Sequence, residues 1–128
     1  MKKEVFMDKY PIYSVELTKD EVTVKNTADI VEILKAKIEA HPIAKFIAVF
    51  DHYTHTKSLD GEIVDGLIDA QNIIFCFGPA IPNPKILAVR PRSIGICEFE
   101  NKFVLNFTEP PKEQLNELME NWVKSLKK

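Results

Sequence analysis

Near the end of the chain, Leu115, Leu118, Met119, Trp122, Val123 and Leu126 recur at i, i+3, i+4, i+7, i+8 and i+11. Residues so spaced share one side of an α-helix, so the stretch carries an apolar stripe and a polar back. Thr108-Glu109-Pro110-Pro111 precedes it and supplies the start signal. A second one-sided helix is predicted after Asn26 or Thr27, with Ile30, Val31, Ile33, Leu34 and Ile38 on its apolar face and Glu32, Lys35 and Glu39 opposite. It stops at His41-Pro42, because the residue before a proline is pushed out of the α region. Two helices with one apolar face each need a sheet to cover.

Strand signals fill the rest. Tyr13, Val15 and Leu17 alternate with Ser14 and Glu16, the period of a half-buried strand. Phe6 and Met7 before them are expected to lie against the body, and Val22 to Val24 to extend the strand. Phe46 to Phe50 is apolar at both alternations, which predicts a central strand covered on both sides. Asn72 to Phe77 reads as another buried strand, closed by Gly78-Pro79. Ser93 to Phe99 and Phe103 to Phe107 read as a hairpin around Glu100-Asn101-Lys102. The loop GPAIPNPK is stiffened by three prolines, and Ile86 to Val89 fits either a turn of helix or a bridging segment. Between Tyr53 and Gln71, Ile63, Val64, Leu67 and Ile68 suggest one or two helical turns. The order strand, helix, four strands, helix gives an α+β fold: a two-layer sandwich of one antiparallel sheet with both helices on one face, in a single domain over residues 1–128.

A chain of 128 residues is long enough to bury roughly two thirds of its unfolded surface. Its formal net charge is −2, with Lys and Glu scattered, whereas phosphate backbones call for a basic stripe. No nucleic-acid role is expected. Apolar runs such as IAVF and NIIFCF fall far short of the roughly 20 residues that cross a bilayer, and Asp8, Lys9 and Pro11 interrupt any leader-like segment. A cytoplasmic protein is expected, with no membrane partner and with Cys76 and Cys97 as free buried thiols.

A helix before a strand ending FIAVFDH, a strand NIIFCFG closed by Gly-Pro, and a hairpin leading into FTEPP together resemble the uncharacterised domain-of-unknown-function family 302, over about residues 12 to 110. The resemblance implies a layered sheet of the TATA-box-binding-protein type, often dimeric, and no activity. The chain departs from that family at Gly78 to Pro84 and at Arg90-Pro91-Arg92.

The stretch AVFDHYTHTKSLDG places Asp51, His52 and His55 where a strand leaves the sheet, and strand ends that meet at loops are where sites are built. Metal binding would use Asp51, His52 and His55, but HExxH and paired CxxC are absent, so no metal or cofactor is expected. Catalysis would use His52 as a general base. Anion binding would use Arg90 and Arg92, spaced to share a side when extended, with His52 or Lys57 assisting, because a guanidinium presents a planar fork of donors. The bland alternative has both arginines solvated or paired with Glu98 and Glu100. The sequence thus favours a binding module for a small, anionic ligand in a pocket framed by Asp51, His52, His55, Phe77, Gly78, Arg90 and Arg92. An enzyme using His52 and a protein interaction module are the alternatives, and a homodimer that covers a sheet edge is expected.

Overall fold

The computed structural model describes residues 1–128. The strands are β1 (Lys2–Phe6), β2 (Tyr10–Thr18), β3 (Ala44–Asp51), β4 (Asp69–Phe77), β5 (Arg92–Glu98) and β6 (Lys102–Thr108), and the helices are α1 (Thr27–Ala40), α2 (His52–Ser58) and α3 (Glu113–Lys124). All strands join one antiparallel sheet in the order β1-β2-β6-β5-β4-β3.

The alternation in β4, β5 and β6 puts every second side chain under the helices. Ile73, Phe75 and Phe77 face Ile94, Ile96, Phe103, Leu105 and Phe107 in one buried cluster, joined by Ile30, Leu34 and Ile38 of α1 and by Met119, Trp122 and Val123 of α3. Both helices therefore lie on the same side, as the two stripes require. Trp122 stacks on Phe77 with ring centroids 5.7 Å apart. Asn26 caps α1 by accepting from the Asp29 N–H. Glu98, buried beneath that helix start, accepts from the Thr27 N–H at 3.1 Å and pairs with Lys19 at 2.8 Å.

Four expectations need correction. β3 is an edge strand, with Ile47 and Val49 50% and 40% exposed; its apolar residues on both alternations imitate a buried strand. Phe6 and Met7 do not pack on the body: Phe6 ends an extra edge strand and Met7 begins its turn with φ 55°. Val22 to Val24 does not extend β2. A 3-10 turn at Lys19–Glu21 intervenes, and Val22 makes an isolated bridge to Lys127. The helical turns expected around Ile63 to Ile68 do not form, and the helix there is α2, earlier in the segment and capped by Asp51.

Candidate functional site

The antiparallel register of β3 and β4 decides which candidates meet. Asp51 pairs with Gln71, at the entry of β4, and Ala44 pairs with Phe77, at its exit. Asp51, His52 and His55 are thus separated from Phe77 and Gly78 by the length of β4, roughly 20 Å at about 3.3 Å per residue. The expected convergence of His52 with the two arginines does not occur.

Phe77, Gly78, Arg90 and Arg92 do meet, in a pocket of about 590 Å³. Gly78, with φ 79°, turns the chain out of β4 while its N–H donates to the Ile43 carbonyl at 3.1 Å. The chain then enters a 3-10 segment, Pro84–Val89, started by Asn83 accepting from the Lys85 N–H. That segment supplies Ile86 and Val89 as an apolar wall, before Arg90-Pro91 leads back into β5 at Arg92. The opposite wall is Pro111, Lys112, Gln114 and Leu115, at the start of α3. Pro110-Pro111 was a readable helix-start signal, but only the arrival of β6 beside β5 shows that this start faces the arginines.

Arg90 and Arg92 are the only arginines in the chain. Arg90 donates from Nη1 to the Ala80 carbonyl at 2.6 Å, and its Nη2 lies over Gly78, where a Cβ would approach it to 3.2 Å. Arg92 is 7% exposed. Its Nη2 donates to the Thr108 carbonyl and, at 3.1 Å, to the Thr108 hydroxyl, while Nη1 reaches the Val89 carbonyl at 3.4 Å. Its Nε is buried without a partner. Burial pushes the guanidinium pKa down from its ordinary value, yet an arginine in a protein stays charged. Neither arginine forms an ion pair; every salt bridge in the molecule uses a lysine or the N-terminus. Glu109, next to Thr108, is held by Lys3 at 2.6 Å and by the Tyr13 hydroxyl, and the Lys3 contact keeps its carboxyl below the ordinary range. The third cation on the wall is Lys112, and no Asp or Glu lines the pocket. Lys112 also stands at the N-cap of α3 without a side-chain cap, so the positive end of that helix adds to the field.

At the other end of β4 the polar groups satisfy one another. Asp51 accepts from the N–H and the hydroxyl of Thr54 at 3.0 and 2.9 Å. The Thr54 N–H, the larger effect, and its hydroxyl hold the Asp51 carboxyl below its ordinary value. His52 Nδ1 donates to Asn72 Oδ1 at 3.0 Å, and Asn72 Nδ2 donates to Ser93 Oγ at 3.1 Å. Phe50, His52 and His55 form an exposed aromatic group with centroids 5.1 to 6.1 Å apart. The only side-chain hydrogen bond of His52 goes to the Asn72 amide. No three His, Cys, Asp or Glu side chains cluster in a way that could hold a metal. Cys76 and Cys97 are free and half-buried.

With this geometry in view, comparison with known families decides the kinship. The chain belongs to the family of unknown function DUF6858. Its model matches residues 1–128. The likeness to family 302 is thereby overturned: it rested on short strand-end motifs such as FDH and CFG, whereas the DUF6858 model matches the chain from end to end. The sheet type and dimer that the likeness implied lose that support. No curated protein and no solved structure matches the chain, and no helix is long and apolar enough to cross a membrane.

Proposed function

We propose that this DUF6858 protein is a binding module for a small anionic molecule with an apolar body, held in the pocket between the exit of β4 and the start of α3. One observation carries the reading. The only two arginines of a chain with net charge −2 line one pocket, and neither meets a carboxylate. Desolvating a cation without a counter-charge costs several kcal/mol, and a bound anion offsets that cost. Arg90 and Lys112 contact the anion, Arg92 supplies charge from within the wall, and Ile43, Ile86, Val89 and Leu115 enclose the apolar part. Two free thiols accord with a cytoplasmic setting.

The test is isothermal calorimetry and thermal melting with phosphate, acetate and benzoate. A bound anion raises the melting temperature because it adds RT ln(1 + [L]/Kd) to the stability of the folded state. The wild type should respond saturably to at least one anion. The double variant Arg90→Gln, Arg92→Gln should lose tenfold or more in affinity, equivalent to about 1.4 kcal/mol or more, while His52→Ala should bind as the wild type does. An equal response in the double variant would reject the reading.

A further inference from the structure

Of the three helices, α2 is the one that meets the sheet face opposite α1 and α3, at one corner, where His52 bonds Asn72 and packs with His55 on Phe50. A water-facing antiparallel sheet normally shows charged and polar residues there. On β4 and β5 this face carries no charged side chain at all; Ile74, Cys76 and Cys97 stand on it, with Val104 of β6 beside them, all half-buried only by their neighbours. Its charges lie toward the rim: Lys45 on β3, Lys2 and Glu4 on β1, and the Glu16–Lys102 pair at 3.1 Å. A charge-depleted centre inside a charged rim is the anatomy of a protein interface.

The register adds a second feature. Asn72 of β4 is opposite Gly95 of β5, Gly95 is opposite Asn106 of β6, and Asn106 is opposite Ser14 of β2. These form a neutral polar row across the four inner strands, flanked by Phe50 of β3 and Lys2 of β1. Its middle, Gly95 and Asn106, is also the middle of the six-strand order. Gly95 leaves room for the amides: a Cβ there would meet Asn106 Oδ1 at 3.0 Å and Asn72 Nδ2 at 3.7 Å. Asn72 is engaged by His52 and Ser93, but the Asn106 side chain has no hydrogen-bond partner, which leaves a donor and an acceptor unspent at the centre of the face.

We infer that a second copy of this chain stacks on this face, sheet to sheet, about a twofold axis near Gly95 and Asn106. A carboxamide complements itself, since the donor of one copy meets the acceptor of the other, and a twofold through the centre of the row lays it on its own image. The size agrees. Six strands about 4.8 Å apart and some 6 to 8 residues long give a face of roughly 600–800 Å², close to the about 800 Å² per partner of a standard stable interface. The arrangement yields four layers, helix-sheet-sheet-helix, and differs from the edge pairing that the sequence suggested.

Sedimentation equilibrium over a wide concentration range tests the stacking. The wild type should be a dimer. Asn106→Asp, which sets two like charges at the axis, and Ile74→Lys should each give a monomer with unchanged far-UV circular dichroism. If one variant fails to fold, the other carries the test. Cys76 and Cys97 provide a readout without mutation: both should be slow to react with a thiol reagent when the dimer is populated and quicken together on dilution. A monomer at every concentration with both thiols reactive would overturn the inference, as would a dimer that survives both substitutions.

Discussion

Both ends of β4 gather polar residues, and they leave them in opposite states. At the entry, Asp51 is spent on Thr54, and His52 on Asn72, which is spent in turn on Ser93. At the exit, Arg92 gives its donors to neutral oxygens and keeps a buried Nε without a partner, while Arg90 is held by one carbonyl over Gly78. The entry looks richer in chemistry when read as residue types. The exit is where charge remains unbalanced, and the proposed anion site rests on that capacity, which the fold has not used. Histidines and aspartates near a strand end are therefore weaker evidence than two cations that pair with no carboxylate.

The sharpest way to break this contrast acts on the exit without touching a charge. Gly78→Ala places a side chain at φ 79° and a Cβ 3.2 Å from Arg90 Nη2. The left-handed backbone costs a residue with a Cβ roughly 1–2 kcal/mol, so urea unfolding should show a loss of that size. Displacement of the guanidinium should weaken the anion response several-fold as well. A stable Gly78→Ala variant with full anion binding would show that Arg90 is not positioned by the glycine.

A smaller effect is expected at the entry. Asn72→Ala severs the chain from His52 to Ser93, in a half-exposed setting where each lost hydrogen bond is worth about 0.5–1.5 kcal/mol. The melting temperature should fall slightly, and the phosphate, acetate and benzoate responses should not change. A loss of anion binding here would move the site from one end of β4 to the other.

Much of this architecture was legible in the sequence. The stripes Ile30 to Ile38 and Leu115 to Leu126 fixed the layer count, and the 93–107 hairpin appeared where alternation placed it. Arg90 and Arg92 were readable as a pair because one residue separates them. β1 was not readable, since every residue of Lys2–Phe6 is exposed and an edge strand with no buried face has no alternation to show. The order of β3 was hidden for the converse reason: Ile47, Val49 and Phe50 look like core and stand at an edge. The missing part of the site was pairing. Nothing local shows that Arg92 will reach Thr108, that Lys112 will line the same pocket as Arg90, or that Asn72 and Asn106 will share a row.

The smallest expected effect is one of pH. Asp51 titrates below its ordinary value because Thr54 donates to its ionised form. A carboxyl with a depressed folded-state pKa contributes stability above its unfolded pKa and loses it as pH falls through the folded value. Nuclear magnetic resonance signals of α2 should accordingly loosen only below the ordinary carboxylate range. Asp51→Asn, which still offers an acceptor to the helix start but cannot titrate, should remove that step. Loosening near neutral pH would mean that another group governs α2.

The unbalanced charge at the exit of β4 can be observed directly, because a chain with two arginines gives only two Arg Nε–H signals. In a ¹⁵N titration with benzoate and with phosphate, the account predicts saturable shifts of both Arg Nε–H signals and of the Gly78 amide, with the His52 and His55 ring signals unmoved. Shifts confined to His52 and His55, or arginine signals that stay fixed at saturating anion, would contradict it.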